Sequence, residues 1–132
     1  EMCIRDSLND LIRNKLITPH QSELKTVFHN PCELGRGCDV YAAPDQVLQT
    51  VSHKLATVYD GKNSLCCGGS LANIHIDPGQ RTRISSDAVK AYLSYQPDLL
   101  VTACPLCKKT FMKTDTAVPI KDIAEVVAEN CR

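Results

Sequence analysis

The sequence has no excess of either charge: Lys and Arg total 15, Asp and Glu total 15, and the formal net charge is zero. Nucleic acid and anionic membrane surfaces both select a basic face, so neither is expected as a main partner. Long apolar runs are also missing. The run Leu99-Leu-Val101 is cut short by Asp98 and Thr102, and nothing in the chain is built to span a bilayer. No positively charged stretch leads into an apolar core of secretory-signal type. Repeats, low-complexity tracts and linkers are absent, and 132 residues suffice for one domain.

What the chain does have is cysteine: eight in 132 residues. Such enrichment means either a secreted disulfide framework or a metal or redox site. The chain is longer than the domains that need stapling and carries periodic apolar segments able to form a core. Its cysteines are also clustered, at 32 and 38, 66 and 67, 104 and 107. Metal or redox chemistry is therefore the expectation. Glu1–Ser7, EMCIRDS, does not read like the start of a natural gene product. It resembles read-through of sequencing-adapter DNA, so Cys3 is set aside and the domain is taken as residues 8–132.

The apolar periodicity alternates. Leu8, Leu11, Ile12 and Leu16 predict a short helix, with Ser7 and Asp10 as a capping pair. Thr26–His29 is a strand ended by Asn30-Pro31. Pro44 is expected to open a helix with Val47, Leu48, Val51 and Leu55 on its apolar face. Ala56–Tyr59 predicts a second strand, ended by Asp60-Gly61. Asp77-Pro78 caps a helix carrying Ile84, Ala88, Ala91 and Tyr95. Leu99–Thr102 is a third strand, apolar enough to be buried on both faces. Pro105 begins a helix holding Cys107, and Ile120, Ile123, Ala124 and Val127 predict the last one. The expected fold is α/β, a small Rossmann-like parallel sheet with flanking helices. Each cysteine group then follows the carboxyl end of a strand, the edge where open α/β sheets bind ligands.

Five sulfurs at three strand ends, Cys32, Cys66-Cys67 and Cys104-Pro-Leu-Cys107, form a stronger signal than a lone CxxC. Thiolates suit iron–sulfur clusters, zinc and cuprous copper. A single zinc ion takes four ligands, one fewer than the five present. A multi-iron cluster accepts more, and adjacent Cys66 and Cys67 could reach two metal atoms or one cluster. Gly68 and Gly69 permit positive φ and let backbone N–H groups approach anionic sulfur. Cys104, ahead of Pro105, sits where a helix N-terminus favours a thiolate.

The stretches HNPCELGRG, SLCCGGS and TACPLC resemble the signature of the cysteine-rich CCG domain. That domain occurs in heterodisulfide reductase catalytic subunits and in iron–sulfur subunits of glycolate, lactate and glycerol-3-phosphate oxidoreductases. The resemblance covers roughly Thr26 to Val127 and is to the C-terminal of two tandem copies. It implies a Rossmann-like fold and ligation of one centre by Cys32, Cys66, Cys67, Cys104 and Cys107, with Gly68 and Gly69 beside it. In heterodisulfide reductase that centre is a non-cubane four-iron four-sulfur cluster; some relatives have been assigned zinc. The resemblance further implies a second CCG domain, a ferredoxin-like domain and a redox partner subunit such as a flavin dehydrogenase. A cytoplasmic place follows, with attachment to the inner membrane through partner subunits. The function so implied is electron transfer in an oxidoreductase. The alternatives are a structural zinc module docking a partner, and a metal-free thiol–disulfide enzyme using Cys104 and Cys107.

Other residues have plainer expectations. Cys38 is expected as a packed small side chain and Cys131 as an inert terminal thiol. His29 is placed to hydrogen-bond cluster sulfur or pass a proton, or to be a satisfied strand-end histidine. His53 and His75 read as surface residues. Arg36 is placed to offset thiolate charge or to be solvated. Lys108 and Lys109 read as exposed, and Tyr92 and Tyr95 as core.

Overall fold

The computed structural model describes residues 4–131, with side chains from Ser7 onward; Cys3 lies outside the described residues. Helix α1 (Ile4–Arg13) is followed by strand β1 (Lys25–His29), helix α2 (Ala42–Val51) and the short strand β2 (His53–Lys54). A long loop leads to helix α3 (Pro78–Leu93), then come β3 (Leu99–Thr102), α4 (Pro105–Phe111), β4 (Ile120–Asp122) and α5 (Ile123–Asn130). The four strands form one sheet in the order β2-β1-β3-β4, every pairing parallel.

Strand alternation divides the core between the two faces. Phe28, Leu99 and Val101 pack with Val47, Leu48 and Val51 of α2 and with Ile123 and Val126 of α5. Leu8 and Ile12 of α1 cover that cluster from outside. The opposite residues, Val27 and Leu100, pack with Val89 and Tyr92 of α3 and Phe111 of α4. Cys67 and Cys107 belong to this second cluster, so the sulfurs lie on the α3/α4 side.

Several local expectations are corrected. Ser7 lies inside α1 rather than capping it. α1 stops at Arg13, and Leu16 is 70% exposed. Pro44 is the third residue of α2, where its missing N–H is still one of the unpaired first-turn donors. α2 ends before Leu55 because Ser52 is extended. Ala56–Tyr59 is not a strand. The Asp60 carboxylate accepts from Thr57 N (3.1 Å) and turns the chain, leaving Val58 68% exposed. The sheet gains its second edge from His53–Lys54 instead, where Lys54 pairs with Asp45 at 2.5 Å and Asp60 at 3.3 Å. Ile120 starts a strand, not the last helix. Asp122 caps α5 two residues later in a reciprocal box with Glu125.

Candidate metal centre

β1 and β3 lie side by side at the middle of the sheet with His29 opposite Thr102, so the chain leaves both strands at one edge. Cys32 comes three residues beyond β1, at the start of a tight helical turn, Glu33–Gly37. Cys104 comes two residues beyond β3 and is the extended residue that precedes α4. Pro105 fixes the first turn of α4, which carries Cys107 inward to a buried position.

Cys66-Cys67 must be delivered by the loop between β2 and α3, and that loop is pinned by side chains from several elements. Nε2 of His29 donates to the carbonyl of Leu65 at 3.0 Å. The hydroxyl of Tyr92 accepts from Leu65 N at 3.3 Å and lies 3.2 Å from Ser64 Oγ. Ser64 Oγ donates to the Asn30 carbonyl at 2.8 Å, tying the loop to the turn before Cys32. Arg36 donates to the carbonyls of Ser64 (2.9 Å) and Lys62 (3.3 Å).

Beyond Leu65 the glycines act. Gly68 adopts φ +80, and a Cβ there would meet the Arg81 carbonyl oxygen at 2.6 Å. A Cβ on Gly69 would run into Thr110. The backbone therefore lies directly against α3 and α4, a path closed to larger residues. Gly68 N–H donates to Cys66 Sγ (3.3 Å) and Gly69 N–H to Cys67 Sγ (3.4 Å), with Asn73 Nδ2 adding a second donor to Cys66 (3.3 Å).

Cys32, Cys67, Cys104 and Cys107 line one cavity of about 150 Å³, walled also by Glu33 and Leu106. That is room for several water-sized bodies. Cys66 is not in its lining; it faces a neighbouring hollow beside Tyr59, Leu65 and Ile84. It still lies near enough to Cys32 to help push that thiol up. Among the described residues no three His, Cys, Asp or Glu side chains are arranged to hold a metal ion. The sulfurs share a chamber without converging on one point.

The thiols share protons. A hydrogen bond from Cys107 holds the Cys67 thiol down at about 7, against the opposing pull of burial, and Gly69 N–H assists. Cys107 is pushed far up by its hydrogen bonds to Cys104 and Cys67 and by burial. Burial, then the negative charges of Glu33, Cys66 and Cys67, push Cys32 up as well. Cys67 is thus the sulfur poised to be anionic near neutral pH, while Cys32 and Cys107 hold their protons. The donor set is soft sulfur with N–H groups aimed at it, which fits thiophilic metal or an iron–sulfur cluster.

The remaining candidates separate cleanly. His29 is buried, with Nδ1 2.9 Å from Thr102 Oγ1 and Nε2 on Leu65, so both ring nitrogens are engaged and neither addresses sulfur. Desolvation lowers its pKa to about 4. Arg36 is spent on loop carbonyls. Cys38 is exposed, which corrects the expectation that it packs; Cys131 is exposed too. His53, His75 and Lys109 lie at the surface, while Lys108 pairs with Glu125 at 2.6 Å. Tyr92 is fully buried and Tyr95 half-buried. Sequence reasoning missed Ser64 and Asn73. Only the ordinary turn character of Ser and Asn marked them, and nothing local announces a reach across the fold.

Residues 26–112 match the family described as the CCG cysteine-rich domain. Over 96% of its length the chain is 33% identical to a subunit of the dihydromethanophenazine:CoB–CoM heterodisulfide reductase of Methanosarcina mazei, covering 32% of that protein. Over 92% it is 30% identical to a probable membrane-anchored ferredoxin of Chromohalobacter salexigens, covering 19%. Over 79% it is 25% identical to the EtfAB:quinone oxidoreductase of Syntrophomonas wolfei, covering 16%. The chain spans about a third or less of these relatives. Among the described residues no helix is long and apolar enough to cross a membrane.

Proposed function

Because the chain belongs to the CCG cysteine-rich domain family, we propose that it is the iron–sulfur-binding electron-transfer module of an oxidoreductase. The observation that carries this reading is the chamber itself: four cysteines from three separate chain segments line one cavity larger than a lone ion needs. The names of the relatives, a heterodisulfide reductase subunit, a ferredoxin and a quinone oxidoreductase, agree with it.

Cys32, Cys67, Cys104 and Cys107 would hold a four-iron four-sulfur cluster of non-cubane type, with Cys66 as fifth ligand. Such a cluster supplies one-electron transfer and an iron face for thiol sulfur. This chain's own residues do the rest. Gly68 and Gly69 N–H groups stabilise charge on sulfur, and His29, Tyr92 and Arg36 hold the loop that carries two ligands. Ligation displaces the thiol protons, so loading releases acid. The module would work in the cytoplasm beside a second CCG domain, a ferredoxin-like domain and a redox subunit such as a flavin dehydrogenase.

A structural zinc site is the second reading. Its specific support is Cys66, which lies outside the cavity and leaves four sulfurs, the number zinc takes. The presence of five clustered cysteines, one more than a zinc ion takes, weighs against it. Anaerobic purification followed by iron, zinc and sulfide analysis and electron paramagnetic resonance decides. Iron with acid-labile sulfide supports the cluster; stoichiometric zinc without sulfide overturns it.

A further inference from the structure

The short turn Leu71–Asn73 follows the Cys-Cys-Gly-Gly string and closes on itself. Ser70 Oγ accepts from Ala72 N at 3.2 Å, Asn73 N donates to the Ser70 carbonyl at 2.9 Å, and the Asn73 carbonyl accepts from Ile76 N at 3.0 Å. None of these bonds uses the Asn73 side chain. Its amide reaches back seven residues instead, and Nδ2 donates to Cys66 Sγ at 3.3 Å. Gly68 N–H donates to the same sulfur at 3.3 Å. The N–H that meets the adjacent Cys67 sulfur comes from Gly69, at 3.4 Å, and is a backbone group. Cys66 is half-buried and faces the hollow beside Tyr59 rather than the chamber. The side-chain donor thus stands on the outer sulfur of the pair.

An N–H aimed at sulfur responds to charge. A centre that accepts one electron passes part of the added charge to its sulfur ligands, and hydrogen bonds to those sulfurs tune its potential. A hydrogen bond strengthens as its acceptor becomes more anionic. The donor therefore stabilises the reduced state more than the oxidised one and raises the reduction potential.

We propose that Asn73 is a positioning residue for the centre: its amide holds the Cys66 sulfur and sets the potential at which the module passes electrons. The assignment rests on the proposed function above, with Cys66 as a ligand.

The test is a mediated redox titration of the anaerobically purified holoprotein, followed by visible absorbance and electron paramagnetic resonance. Asn73→Ala removes the donor and leaves the backbone bonds of the turn in place. Its centre should be harder to reduce. The reduced-to-oxidised ratio at the parent's midpoint should fall about tenfold, which is ~59 mV for one electron. Asn73→Asp sets a carboxylate against the sulfur and should lower the ratio further. Asn73→Gln keeps an amide and should recover part of the loss. A parent-like midpoint in Asn73→Ala, at the parent's iron and sulfide content, overturns the assignment and leaves the proposed function standing. An equal shift in all three variants overturns it too, because the effect would not follow the donor. If Asn73→Ala retains no cluster, Asn73→Gln decides: a full cluster there supports the amide, and loss in both overturns it. A parent protein with stoichiometric zinc and no sulfide overturns the proposed function, and this assignment falls with it.

Discussion

His29 and Leu65, 36 residues apart in sequence, are joined by a hydrogen bond of 3.0 Å from Nε2 to the carbonyl oxygen. A carbonyl only accepts, so Nε2 carries the proton and Nδ1 must accept from Thr102 Oγ1 at 2.9 Å. The neutral ring thus links β1, β3 and the loop ahead of Cys66, and its edge contact with Phe111 (centroids 4.9 Å apart) fixes its plane.

Acid should unpick this link. The folded pKa of His29, about 4, lies below the ordinary 6.5, so the unfolded chain binds the proton more tightly. The contribution of the neutral ring is complete above 6.5 and lost as pH falls from there toward 4. The shift corresponds to about 3 kcal/mol. Urea unfolding of the metal-free protein should therefore show stability falling between pH 6.5 and 4, and His29→Phe should flatten that slope. Phe also strands the Leu65 carbonyl, which costs about 1–3 kcal/mol at neutral pH. An unchanged slope in the variant would remove His29 as its source.

The glycine pair predicts a steric effect. In Gly68→Ala the methyl group meets the Arg81 carbonyl at 2.6 Å while φ stays at +80, so two penalties coincide. A loss of about 1–3 kcal/mol is expected. Metal content should fall with it, because Cys66 and Cys67 ride on the displaced segment. Gly61, also at positive φ but with open space around it, is the control. Gly61→Ala should cost about 1 kcal/mol and leave metal content intact.

Much of this was legible in the chain. Pro31, Asp77-Pro78 and Pro105 punctuate the sequence where the strands and helices really turn. The apolar run of β3 and the Cys-Cys-Gly-Gly string placed the sheet edge and the tight loop. The misreadings have physical causes. β2 is two residues long and takes its place from pairing with Lys25 and Thr26, a tertiary effect with no periodicity of its own. β4 is three residues long, and its end was marked by Asp122 and Glu125, a capping signature that Ile120 and Ile123 obscured. The pinning by Tyr92 and Ser64 was hidden because hydrogen bonds 28 residues apart leave no local pattern.

Tyr92→Phe isolates that pinning. The ring stays buried, and only the hydroxyl that meets Ser64 Oγ and Leu65 N is removed. A loss of about 1–2 kcal/mol follows from one unsatisfied N–H and one weakened hydroxyl. The secondary-structure signal should be unchanged and the melting temperature lowered. A melting temperature equal to that of the parent would mean that Ser64 and Leu65 are held without Tyr92.

The two adjacent cysteines give the sharpest comparison. Cys67 lines the chamber and has its thiol held at about 7, so Cys67→Ser should abolish metal retention under either metal reading. Cys66 lies outside it, and its role differs between the readings. If the chamber holds a cluster with five protein ligands, Cys66→Ser should lose iron and sulfide in parallel and change the paramagnetic signal. If it holds one zinc ion, Cys66→Ser should keep full zinc occupancy. Metal loading in the parent should weaken as pH falls below about 7, where Cys67 gains the proton that the metal must displace. Retention of iron and sulfide by Cys67→Ser at the parent level would remove Cys67 from the ligand set and the chamber from its assigned role.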